Sequence, residues 1–141
     1  MPRPDFTGLW LNTEIGGDTP RFFAEGLEVS FIQRKLAAVV GYGKGELTHK
    51  IVSEDDGAKL TCTLNMPEKV TSVWICDGEV HETNQAKYTA VWEGEKLIVT
   101  PVDGPPTAFR LTRYMVDSNM VTELDYPNKP GVTMKRTFVK Q

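Results

Sequence analysis

The chain has 141 residues, 40% of them apolar and 25% charged, which is enough for a substantial core, and no biased stretch divides it, so a single domain spanning 1–141 is expected. With 16 basic against 19 acidic side chains and a net charge of −3, it has no basic stripe of the kind a nucleic-acid binder requires, and nucleic acid is excluded as a partner. No apolar run reaches membrane-spanning length, and residues 1–5 lack the apolar stretch of a signal peptide, so the expectation is a cytoplasmic protein, and a monomer.

The chain opens on a strand-like run around Phe6 to Trp10, and alternation sets Asn12 and Glu14 on the Trp10 face. Between Gly16 and Gly45 the rhythm changes. Thr19 is a helix cap, Pro20 suits a first helical position and Gly26 a stop. Phe31, Ile32, Leu36, Val39 and Val40 then recur at helical spacing, so two short helices are expected here.

From Glu46 onward, short β-prone runs alternate with turn residues. Glu46 to Ser53 ends at the Glu-Asp-Asp-Gly turn of 54 to 57. Lys59 to Met66 sets Leu60, Cys62, Leu64 and Met66 against Lys59, Thr61, Thr63 and Asn65, a half-buried strand with Cys62 as a small buried thiol. Thr71 to Ile75 follows, then a polar stretch from Asp77 to Gln85 where the sheet is expected to open. Ala86 to Trp92, Lys96 to Val102, Thr107 to Val116 and Met120 to Tyr126 complete a meander that ends on Val132 to Val139. The pattern is that of an all-β protein, a closed antiparallel meander.

Two arginines interrupt its apolar face. Arg136 shares a face with Val132, Met134 and Phe138, and Arg113 with Phe109, Leu111 and Met115. A guanidinium among apolar groups carries a desolvation cost and calls for an anion or a ring of hydrogen bonds. A bound carboxylate would serve both; an internal glutamate, or a bulge that turns one arginine to water, is the alternative.

Little else carries chemistry. His49 and His81 lie on separate segments with no partner at metal-ligand spacing and no nucleophile motif, which makes each a surface or structural imidazole. The 54 to 57 turn lacks the spacing of a calcium loop. Cys62 and Cys76 are too few for a disulfide framework. No catalytic residue, metal or cofactor is expected.

One strand, two helices and about nine more strands form an order that resembles the intracellular lipid-binding protein family of the calycin superfamily, which includes cytosolic fatty-acid-binding and cellular retinoid-binding proteins. Phe6-Thr7-Gly8-Leu9-Trp10 is similar to that family's F-x-G-x-W opening, and Val29-Ser30-Phe31-Ile32-Gln33-Arg34-Lys35 to its second helix. Gly78 to Thr83 resembles its E-x-x-E-T segment. Arg136-Thr137-Phe138 resembles the terminal R-x-Y, and Thr112-Arg113-Tyr114-Met115 a T-R-E-L-like strand.

The resemblance implies a ten-stranded antiparallel up-and-down β-barrel, or clam, with a two-helix lid between the first and second strands. It implies a non-enzymatic carrier of long-chain fatty acids or similar apolar carboxylates, with Arg136 and Arg113 as head-group anchors. Phe138 stands where tyrosine is usual, which removes one hydroxyl donor. Tail contacts would come from Phe31, from Cys62, Leu64 and Met66, and from Leu111, Met115, Leu124 and Met134, with Phe6 and Trp10 plugging the closed end. Arg21, Arg34 and Lys35 would give the lid a modest positive patch suited to transient contact with anionic membranes.

Asn12 and Glu14 depart from the pattern. A strand that leaves the barrel early is the favoured reading; a more polar interior, or Glu14 neutralising an arginine, are the others. Retinoid binding, chemistry on a bound small molecule, and a barrel that binds a protein remain alternative functions.

Overall fold

Alternation of apolar and polar side chains builds ten strands: β1 Gly8–Gly17, β2 Thr48–Glu54, β3 Lys59–Leu64, β4 Val70–Ile75, β5 Val80–Glu82, β6 Lys87–Glu93, β7 Lys96–Val102, β8 Arg110–Val116, β9 Asn119–Tyr126 and β10 Lys129–Lys140. The computed structural model describes residues 3–17, 44–65, 69–82, 87–102, 109–127 and 129–141. The two expected helices fall within 18–43, outside the described residues. Among the described residues, no helix is long and apolar enough to cross a membrane.

The strands form one sheet in the order β4-β3-β2-β1-β10-β9-β8-β7-β6-β5. Every pairing is antiparallel, and the pairing of β1 with β10 curls the meander on itself. The break falls between β4 and β5, where the sequence loses its β character. Tyr88 spans that seam: its hydroxyl donates to the Val73 carbonyl at 3.2 Å and accepts from the Ile75 amide at 2.9 Å. Its ring meets Trp74 edge-on, with centroids 4.9 Å apart.

Removing that hydroxyl leaves two backbone groups of the β4 edge without this partner. Tyr88→Phe is therefore expected to cost about 1–3 kcal/mol and to speed exchange of the Ile75 amide. Hydrogen exchange reads it directly, and an unchanged Ile75 rate would mean that the seam is held by something else.

One rim is built from the N-terminal arm and the 55–57 turn. Phe6 and Trp10 are buried, as expected for a plug, and the Trp10 indole donates to the Phe6 carbonyl at 2.8 Å. Trp92 stacks on Phe6 and donates to the Gly57 carbonyl at 2.8 Å. Gly57 has φ +88°, and a Cβ there would meet the Trp92 ring at 3.1 Å, so both conformation and space call for glycine. Arg3 lies over the same ring, 5.6 Å from its centroid.

The interior is divided. Phe6, Trp10, Ile51, Leu60, Met120 and Phe138 belong to a large apolar cluster, and Tyr126, Val132 and Met134 form a second with Ile15 and Leu124 packed on it. On three adjacent strands a polar residue separates the two: Asn12 between Trp10 and Ile15 on β1, Arg136 between Phe138 and Met134 on β10, Thr122 between Met120 and Leu124 on β9.

Strand β1 does not leave the barrel early. It pairs with β10 as far as Gly17, with a register shift between Asn12 and Glu14. The extra residue of that bulge flips the alternation, so Asn12 is fully buried while Glu14 is exposed. Glu14 therefore neutralises neither arginine, and the polar side chain that enters the barrel is Asn12.

Candidate ligand site

The register across β8, β9 and β10 sets Arg113 opposite Thr122, and Thr122 opposite Arg136. Two strand spacings put the arginine backbones roughly 10 Å apart, a distance two long side chains can close from either flank. Alternation along β8 also explains what is left outside: Arg110, three residues earlier, makes two hydrogen bonds to the Asp125 carboxylate. Arg113 makes no such pair among the described residues.

Instead, Arg113 is 3% exposed and surrounded by neutral, weakly accepting atoms. Its Nη1 lies 3.3 Å from His49 Nδ1 and 3.2 Å from Met120 Sδ, and the Cys62 thiol is close enough to act on it electrostatically. Burial pushes its pKa below the usual arginine value, with Cys62 opposing. The same burial pushes the Cys62 thiol up, against the pull of the guanidinium, so Cys62 is a protonated spectator at neutral pH.

Arg136 is half-buried and donates from Nη1 to Asn12 Oδ1 at 2.7 Å. Burial lowers its pKa to about 10. Asn12 cannot be turned end for end, because its Nδ2 donates to the carbonyls of Glu14 and Thr137, each at 2.9 Å. Its backbone closes the arrangement, donating to Leu47 and accepting from Gly45. Asn12 thus ties β1 to β10 and to the segment leading into β2, and its amide aims one arginine.

His49 completes the cluster from β2. It is 5% exposed, and its ring lies against Phe138 with centroids 4.4 Å apart. Burial first, then the charges of Arg113 and Arg136, hold its pKa well below the ordinary histidine value. At neutral pH the ring is uncharged.

Of the residues singled out in the sequence, Arg113, Arg136, Phe138 and Cys62 are thus brought together. Leu64, Leu111 and Met115 pack on the large cluster, while Met134 and Leu124 lie in the second. Phe31 and Met66 fall outside the described residues, as do Arg21, Arg34 and Lys35. Phe109 is a correction: it precedes β8, is 39% exposed and meets Tyr126 edge-on, so alternation does not reach back to it.

His49 is the site residue that motif reasoning passed over. With no nucleophile or metal partner near it in sequence, it reads as a surface or structural imidazole. Its face was legible all the same, since Leu47, His49 and Ile51 alternate inward along β2. His81 differs; it is partly exposed and bonds Asp77 at 2.8 Å.

No family model and no curated protein sequence matches the chain. Solved structures do. The REP1-NXSQ fatty acid transporter superposes with a TM-score of 0.73 at 16% identity, over 96% of this chain and 95% of that one. Lipid binding protein 8 of Caenorhabditis elegans gives 0.70 at 15% identity, covering 96% and 95%. Zebrafish ileal bile acid-binding protein, solved with cholic acid, gives 0.71 at 22% identity, covering 96% and 98%. The chain has the ten-stranded barrel fold of these lipid-binding proteins, and the resemblance seen in its motifs holds at the level of fold.

Proposed function

We propose that the protein is a carrier that reversibly binds a long-chain fatty acid or a similar apolar carboxylate inside the barrel. The observation that carries this reading is the pair of interior arginines set in register on either side of Thr122, one of them without a carboxylate partner among the described residues. Two such cations favour an anion, and charge-assisted hydrogen bonds to it are worth about 1.5–3 kcal/mol each. The apolar clusters on either side suit a tail, which gains about 0.8 kcal/mol for each methylene removed from water. The fold shared with a fatty acid transporter and a bile acid-binding protein supports the same class of ligand.

On this reading residues 1–141 are one cytoplasmic domain, a monomer without enzymatic activity. The two-helix lid that the sequence between Gly16 and Gly45 implies would carry Arg21, Arg34 and Lys35, which would bring it to anionic membranes for transfer. Phe138 contributes an aromatic wall in place of a hydroxyl donor, and the His49 ring packs against it.

Titration of oleate into delipidated wild type and Arg136→Ala tests the assignment. Saturable binding, weakened at least tenfold by the substitution, is expected. Oleate binding that survives unchanged moves the anchor elsewhere, and no binding refutes the carrier.

A further inference from the structure

The tautomer of His49 follows from its neighbour. Arginine has no acceptor, so Arg113 Nη1, 3.3 Å away, must donate to Nδ1, and the ring proton of the neutral imidazole sits on Nε2. A proton added at Nδ1 would face a guanidinium N–H. It would also place a third positive charge beside Arg113 on β8 and Arg136 on β10, the two charged groups among the described residues that act on the ring. From β3, Cys62 is a neutral thiol near the same guanidinium; β9 contributes the Met120 thioether and the neutral Thr122 opposite Arg113, and β10 adds the Phe138 ring. Among the described residues, nothing facing His49 favours an imidazolium.

An anion at the arginine pair reverses each term. It offers Arg113 an oxygen stronger than Nδ1 as acceptor, releases Nδ1, and supplies the negative charge that a third cation needs. We propose that an anionic head group entering between Arg113 and Arg136 is taken up together with a proton that binds His49, making His49 a third head-group residue. The inference rests on the carrier reading above and adds to it a direction of control: binding tightens as pH falls.

The sign follows from linkage. Ligand-free His49 is neutral until well below the ordinary histidine range, and the bound anion raises its proton affinity. Between the two values each binding event consumes one proton, and affinity rises by up to tenfold per pH unit as pH falls. Above that window binding is indifferent to pH.

The test uses a head group that does not itself titrate, the sulfonate of 1-anilinonaphthalene-8-sulfonate, on the delipidated full chain. Calorimetry at about pH 6 in two buffers of different ionisation heat counts protons, and nitrogen NMR of histidine-labelled protein reads the ring state near the ordinary histidine pKa. The chain holds only 2 histidines, so His81→Asn assigns the spectrum. The expected result is uptake approaching one proton per sulfonate, with His49 passing from neutral to imidazolium on binding, and affinity in His49→Gln independent of pH. Wild-type NMR stands alone if that variant does not fold. Sulfonate that binds, is weakened by Arg136→Ala, and leaves His49 neutral with no proton uptake overturns the inference alone. Failure of sulfonate to bind, or binding indifferent to Arg136→Ala, overturns the arginine site and the inference with it.

Discussion

Arg113→Met is expected to raise the stability of the ligand-free protein by about 1–4 kcal/mol while lowering its affinity for oleate at least tenfold. The guanidinium is almost wholly buried, bonded to an imidazole and a thioether and close to a thiol, none of which carries a negative charge. Its desolvation is therefore poorly compensated until an anion arrives. Methionine has similar length, needs no counterion, and would sit between Met120 and Cys62. Binding moves the other way, because the ligand loses a charge-assisted partner worth about 1.5–3 kcal/mol. Chemical denaturation and oleate titration on one variant read both signs. A structural arginine would give the opposite first result, a clear loss of stability, and that outcome would remove Arg113 from the site.

The second large effect lies at Asn12. Asn12→Ala strips one acceptor from Arg136 and leaves the Glu14 and Thr137 carbonyls without their amide donor, next to the bulge that sets the face of β1. Leaving buried groups unsatisfied costs about 1–3 kcal/mol each, so a total loss of about 2–4 kcal/mol is expected even if water reaches one of them. At this chain length that is a fall of roughly 10 °C in Tm. Thr13→Ala is the control, since the Thr13 hydroxyl reaches the same Thr137 carbonyl at only 3.4 Å; it should shift Tm little. Equal effects from the two variants would show that the amide is incidental.

Period-two alternation made most of the barrel legible, because nearly every strand has one wet and one dry face. The last strand shows this well: Val132, Met134 and Phe138 are buried and Arg136 lies between them, as the sequence spacing required. Alternation also placed Arg113 inside and Arg110 outside. It failed at Glu14, where a bulge inserts one residue and reverses the faces, and bulges leave no mark in a hydrophobic pattern. It failed again at Phe109, which lies beyond the first paired residue of β8.

The candidate site was half legible for a different reason. Arginines stand out on an apolar face because their burial is costly. His49 and Thr122 are less costly to bury, and each looks like an ordinary strand residue until the register brings β2, β9 and β10 together. Asn12 is in sequence only a polar residue on an apolar face; that its amide aims Arg136 depends on a pairing 124 residues apart.

The most direct test compares oleate with oleyl alcohol in displacement of a bound fluorescent probe from the delipidated wild-type protein. The two share one tail and differ in the charge of the head. If the interior arginines are a carboxylate site, oleate should bind at least tenfold more tightly, a difference of about 1.4 kcal/mol or more. Equal affinities would mean that the barrel recognises only the tail, and that the two arginines serve the fold rather than the ligand.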